Sequence, residues 1–223
     1  MPDPKRLHLL VEGQTEATVV RDVLSGHFQR QGWFVTYSTV RTHTSSVTYR
    51  GGVTSWPKLH REIKELLASP RLAVLTTLFD YYGFPSDAPG MATRPAGAAT
   101  GKVEHVEQAL GTAIGDHRFV PHLVQHELES WVFAAGDQLA FLRDDPAVAD
   151  RIKQDCAEAG GPELVNDDPK NAPSKRLARY CPGYVKTLEG PLAIADLGVE
   201  GLRARCPHFA AWLTELDSRL GRV

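Results

Sequence analysis

Acidic residues stand at the ends of three apolar runs, and carboxylates gathered in that way are what a hard divalent cation needs. Leu7 to Val11 runs into Glu12-Gly13-Gln14-Thr15-Glu16, and Arg71 to Phe79 runs into Asp80-Tyr81-Tyr82-Gly83-Phe84-Pro85. Phe119 to Val124 runs into Gln125-His126-Glu127-Leu128-Glu129. A strand that ends in Glu12, turns on glycine and enters a helix at Glu16 lets both side chains lean over one crevice. Two close carboxylates repel unless one takes a proton or a cation lies between them. The plainer alternative is that Glu16 complements a helix dipole while Glu12 faces solvent. In a parallel sheet, however, the C-terminal ends of strands share one edge, so acids delivered by three strands converge there. That convergence favours the cation.

The elements that must position these acids follow from the apolar periodicity. Val19, Val20, Val23, Leu24 and Phe28 recur at helical spacing, and Gly32 closes that helix. Trp33 to Val40 alternates as a second strand. Arg41 to Thr54 is a Thr-, Ser- and Gly-rich loop. Ser55 and Pro57 open a helix with Leu59, Ile63, Leu66 and Leu67 on its apolar side. Gly83 to Gly101 is a long loop beside the acids, and Val103, Val106, Leu110 and Ile114 mark a third helix. The order βαβαβαβ calls for an α/β fold with a parallel sheet and right-handed crossovers. Beyond Glu127 the expected helices are Leu139 to Ala159, Ser174 to Tyr180, Val199 to Arg205 and Pro207 to Leu220. This divides the chain into an α/β core over 5–135 and a helical extension over 136–223 that caps it.

Taken together, these residues resemble a Toprim domain, the metal-binding α/β module of topoisomerases, primases and the overcoming-lysogenization-defect (OLD) nucleases. Glu12 with Glu16, Asp80, and Glu127 with Glu129 match that family's acidic stations in order. Val-Glu-Gly-x-Thr-Glu, Asp-Tyr-Tyr-Gly-Phe-Pro and His-Glu-x-Glu together resemble domain of unknown function 4276 (DUF4276). So do Ala172-Pro173-Ser174-Lys175-Arg176-Leu177 and Cys206-Pro207-His208-Phe209 with Trp212, and the resemblance covers nearly the whole chain. It implies a Toprim-like sheet sandwiched by helices, with Mg²⁺ or Mn²⁺ held by Glu12, Asp80, Glu127 and Glu129. Glu12, Glu16, Asp80, Glu127 and Glu129 would form the catalytic set. Tyr82 stands where the OLD-type pattern has a second aspartate, so the site must draw on Glu127 or Glu129, or bind metal less tightly. The implied activity is that of a nuclease, an effector in a phage-defence or toxin-like module beside an ATPase of the ABC type. The alternative is a subunit that binds its partner or a nucleic acid without cleaving.

Composition bounds the rest. A chain of 223 residues can bury a full core, and a formal charge of −2 announces neither nucleic acid nor membrane. Cys156, Cys181 and Cys206 form no Cys-x-x-Cys pair, which argues against a zinc ribbon and for a reducing cytoplasm. The expectation is a cytoplasmic protein with no membrane segment and no leader after Met1. Gly97 to Val103 departs from a phosphate loop at the first glycine and at Val103. His117, His122 and His126 do not have the spacing of a helical zinc site. His126 would orient Glu127, contact a phosphate or simply close the strand end. Lys175 and Arg176, at a helix start behind Pro173, could bind a nucleic-acid phosphate or form a solvated face.

Overall fold

The run after Lys5 becomes a strand buried on both faces, as a central strand in a parallel sheet must be. The computed structural model describes residues 5–41, 55–165 and 171–221, so the expected loop lies, beyond Arg41, outside the described residues. Strand β1 (Arg6–Val11) pairs in parallel with β2 (Phe34–Thr39) on one side and β3 (Leu72–Asp80) on the other. β4 (Phe119–Val120) and β5 (Leu123–Val124) both pair in parallel with β3, giving a five-stranded sheet. Between β1 and β2 the chain runs through α1 (Gln14–Val19), a π-helical segment (Val20–Leu24) and α2 (Ser25–Arg30). Helix α3 (Trp56–Leu67) precedes β3, and α4 (Ala99–Ile114) follows it.

Period-two alternation sorts each strand's side chains onto two cores. Leu7, Leu9 and Val11 of β1, with Val74 and Leu78 of β3, face α1, α2 and the C-terminal helices. Leu10, Leu75 and Phe79 point the other way, onto Leu59 and Ile63 of α3 and Val103 and Val106 of α4. The chain leaves β1 toward β2 but returns on the far side as β3, which makes the β1/β3 boundary a topological switch point. Open α/β sheets bind ligands outside the carboxyl ends of strands at such a point.

Three sequence expectations need correcting. Phe119 to Val124 is not one strand: Pro121 has no N–H to give the ladder, and pairing breaks between β4 and β5. The Thr77 hydroxyl takes over there, accepting from His122 N and donating to His122 O, each at 2.9 Å. Leu139 to Ala159 likewise divides into α6 (Gly136–Leu142) and α7 (Pro146–Ala159), after a short α5 (Glu129–Ala134). Pro146 opens α7, and Asp145 caps it by accepting from Ala147 N at 3.1 Å. The remaining helices are α8 (Pro173–Tyr180), α9 (Glu189–Arg205) and α10 (Pro207–Gly221). Helix α9 starts ten residues before the expected Val199 and kinks at Gly198, whose φ of 74° suits glycine.

No strand follows Val124 among the described residues. Trp131, Ile194, Leu202, Phe209 and Leu213 join the apolar cluster under β1, so the C-terminal helices pack on the sheet itself. Among the described residues, no helix is long and apolar enough to cross a membrane.

Candidate functional site

At the switch point, β1 and β3 bring their terminal acids into direct linkage. Glu12 Oε2 accepts from Asp80 N at 3.1 Å, and Asp80 Oδ1 accepts from Leu128 N at 2.8 Å. Backbone amides therefore fix one oxygen of each carboxylate. Gly13 makes room for Glu16: a Cβ there would crowd Glu16 Oε2 at 3.3 Å, while one on Gly83 would sit in ordinary contact with Glu12 Oε1 at 3.5 Å. Gly13 has an extended backbone (φ −156°), so space rather than an unusual torsion favours glycine there. Glu16, in the first turn of α1, and Glu129, at the start of α5, are both buried. Glu12, Glu16, Asp80, Lys186 and Thr187 line a cleft of ≈ 470 Å³.

Lys186 is the member that sequence reasoning missed. It sits on the irregular strap between α8 and α9, and its Nζ reaches Glu129 Oε1 at 3.0 Å and Oε2 at 3.1 Å. The same Nζ lies 3.9 Å from Asp80 Oδ2. One ammonium thus serves four clustered carboxylates. Burial pushes the Asp80 carboxyl well above its ordinary range; Lys186 opposes this, while Glu16, Glu12 and Glu129 push it further. Burial also raises Glu12, against the hydrogen bond from Asp80 N, and Glu16 adds to the rise. Glu129 is raised by burial too, with Lys186 opposing. The acids hold Lys186 above its usual value despite the desolvation that lowers it.

The other expected site residues are placed differently. Glu127 turns from the cleft to the start of α8, where Oε2 accepts from Ser174 N at 3.0 Å and Oε1 from Ser174 Oγ at 3.2 Å. The helix start expected to receive a phosphate beside Lys175 and Arg176 therefore already holds an anion, Glu127 itself. Arg176 is committed to structure: Nη1 bonds Asp155 Oδ1 at 2.5 Å and Nε donates to Asn171 O at 3.1 Å. Tyr180 Oη completes that knot at 2.7 Å from Asp155 Oδ2. Lys175 is exposed. His126 is 1 % exposed, its ring 5.0 Å from that of Tyr82, so it is not presented to a surface ligand. Its φ of 65° is uncommon for a non-glycine residue and turns the chain sharply between β5 and the acids.

The donor set suits a hard cation. It is oxygen-only, among the described residues it sets four carboxyls against one lysine, and two of its carboxylates are oriented by backbone N–H groups. Glu12, Asp80 and Glu129 would hold Mg²⁺ or Mn²⁺, with Glu16 beside them. Glu127 would have to give up Ser174 to join.

A second polar cluster was not assembled from the sequence. Glu107 of α4, His122 between β4 and β5, and His208 of α10 meet with their ligand atoms all within 4.8 Å of one another. His122 and the Cys206 to Phe209 segment were each singled out, but nothing linked them to one another or to Glu107.

No curated protein and no solved structure matches the chain. The model of the family described as "Domain of unknown function (DUF4276)" matches residues 11–217, from the last residue of β1 into α10. That span takes in the whole acidic cluster and its lysine, and the chain belongs to the DUF4276 family.

Proposed function

We propose that the cluster at the β1/β3 edge binds Mg²⁺ or Mn²⁺ and carries out phosphodiester chemistry on nucleic acid, as a Toprim-type nuclease. The observation that carries the reading is the charge imbalance: Glu12, Glu16, Asp80 and Glu129 gather at a ligand-binding edge with, among the described residues, Lys186 as the cation beside them. The resemblance to OLD-type nucleases adds an effector role in a phage-defence or toxin-like module, with an ABC-type ATPase as partner.

A bound divalent ion there would lower the pKa of a coordinated water or stabilise a leaving oxygen. The chain's own groups do the rest. Asp80 and Glu12, each pinned by a backbone amide, present the remaining carboxylate oxygens in fixed directions. Raised carboxyls such as Glu12 are poised to exchange a proton nearer neutrality than an ordinary glutamate. Lys186 sits beside Asp80 and Glu129 and can follow negative charge as it shifts toward a substrate phosphate.

A second reading has its own support. Tyr82 puts an aromatic ring against His126 where the OLD-type pattern has an acid, so β3 supplies one carboxylate instead of two. A subunit that binds metal, nucleic acid or the ATPase without cleaving fits that economy.

The test uses single-stranded, duplex and transfer RNA and DNA with Mn²⁺ or chelator, with and without an ABC-type ATPase. Asp80→Asn keeps the volume and the Oδ1 acceptor but loses the charge, so cleavage should drop about a thousandfold while binding persists. Undiminished cleavage by Asp80→Asn would overturn the nuclease reading. If nothing is cleaved, yet Mn²⁺ raises the melting temperature of the wild type more than that of Glu12→Gln, the non-catalytic reading stands.

A further inference from the structure

We propose that Glu107, His122 and His208 form a separate site for a zinc-class transition-metal ion, a staple that closes the sheet edge beside β4 and β5. The site does not depend on the acidic cluster or on what that cluster does. Its chemistry differs in kind, since two imidazoles and one carboxylate suit Zn²⁺, whereas oxygen-only sets suit Mg²⁺.

Geometry supports the assignment. Glu107 Oε1 lies 3.4 Å from His122 Nδ1 and 3.0 Å from His208 Nε2. Tetrahedral ligands bound at about 2.0–2.1 Å stand roughly 3.3 Å apart, so both separations are close to the edges of a zinc tetrahedron. Three protein ligands leave one position for water. Among the described residues His122 Nε2 has no hydrogen-bond partner, and Nδ1 faces Glu107.

The donors are also built in from behind, as metal ligands usually are. Leu123 N donates to Glu107 Oε1 at 2.7 Å. Thr77 holds both backbone groups of His122. Glu163 accepts from His208 N at 2.8 Å and from Phe209 N at 3.0 Å, fixing the first turn of α10. The His122 ring lies against Trp212 at 4.4 Å and 10°. Glu107 keeps 14 % side-chain exposure, which gives an ion a way in. The consequence is structural. α4 packs on one face of the sheet and α10 on the other, and the site joins them where β4 and β5 have no further strand beside them among the described residues.

Purified full-length protein is stripped with chelator, given Zn²⁺ or Co²⁺, desalted and assayed for metal. The expected result is about one tightly held ion per chain, a higher melting temperature, and a Co²⁺ visible spectrum of tetrahedral intensity with nitrogen ligands. Glu12→Gln with Asp80→Asn should keep all three. His208→Gln should lose the ion at least tenfold in affinity while retaining its far-ultraviolet circular dichroism. The proposal falls if stripped wild type retains no Zn²⁺ or Co²⁺ above a buffer control. It also falls if folded His208→Gln binds as tightly as wild type. Should His208→Gln not fold, the wild-type Co²⁺ spectrum decides alone: a weak octahedral band overturns the site.

Discussion

The chain buries glutamates in two clusters and treats them in opposite ways. At the β1/β3 edge Glu12 and Glu129 are pushed above the ordinary carboxylate range. Beneath α10, burial would likewise raise Glu107, but hydrogen bonds from His122 and His208 outweigh it and hold the group down at about 2. Residue type and burial are alike, so the partners decide. One acid among two imidazoles is a settled arrangement, whereas four acids around one lysine are held together against their own repulsion. A fold keeps such repulsion where something else is meant to relieve it. The contrast is the physical reason to look for chemistry at the first cluster and for scaffolding at the second.

The largest effect should come from breaking the settled cluster. Glu107→Gln takes from buried His208 the carboxylate that meets its ring and should cost about 3 kcal/mol by urea denaturation. Asp80→Asn removes one of the crowded acids and keeps the acceptor for Leu128 N, so the same measurement should show no loss or a gain. Equal destabilisation by both would erase the distinction between the clusters.

Lys186→Met comes next. It leaves Glu129, 1 % exposed, without its cation and should destabilise by about 2 kcal/mol, less than a fully buried pair because Lys186 is itself partly exposed. The melting-temperature rise caused by Mn²⁺ should grow, since the metal no longer competes with an ammonium. A smaller rise would mean that Lys186 helps hold the ion.

Arg176→Ala tests the basic residues. Removing the guanidinium from Asp155 and Asn171 should cost about 1 kcal/mol of stability. Lys175→Ala, on the exposed side of α8, should leave the melt unchanged.

The smallest effect lies in pH. Acids with raised folded values bind protons more tightly when folded, so Asp80, Glu12 and Glu129 should stabilise the fold as pH falls from neutrality toward 5. His208 is raised, so its contribution is full below its ordinary 6.5 and fades as pH climbs through the folded value. Glu107 is lowered, so its contribution holds above 4.5 and disappears only as pH falls toward about 2. His122, depressed to about 4, adds an acid-side loss below 6.5 that partly offsets the first trend. Stepped-pH unfolding should place maximum stability on the acid side of neutral, and Asp80→Asn should flatten the slope between pH 7 and 5. An identical slope in the variant would remove Asp80 from the account.

The parallel sheet and its acids were legible because each is local. Glu12 and Asp80 end contiguous apolar runs, and strand direction does the gathering. Pro121 carries the signal of the break between β4 and β5, but the apolar residues on either side read as one run. Lys186 was not legible, because a lysine in an irregular strap carries no periodicity. Glu107 and His208 are 101 residues apart on different helices, and no spacing rule connects them. The histidines nearer in sequence proved misleading: His117 has 92 % side-chain exposure, and His126 packs on Tyr82.

The π-helical segment Val20–Leu24 bears on how this family can change length. A π turn holds one residue more than an α turn, so Glu16 upstream and Phe28 downstream keep their buried directions with an extra residue between them. Deleting a single exposed position there, such as Asp22, would let the segment tighten to an α-helix. The helix beyond it would then keep its phase relative to Glu16, whereas a deletion within α1 or α2 would turn everything beyond it by about 100°. A one-residue change of length inside the π segment is therefore absorbed locally, while one on either side of it reaches the cleft through the phase of the helix that carries Glu16.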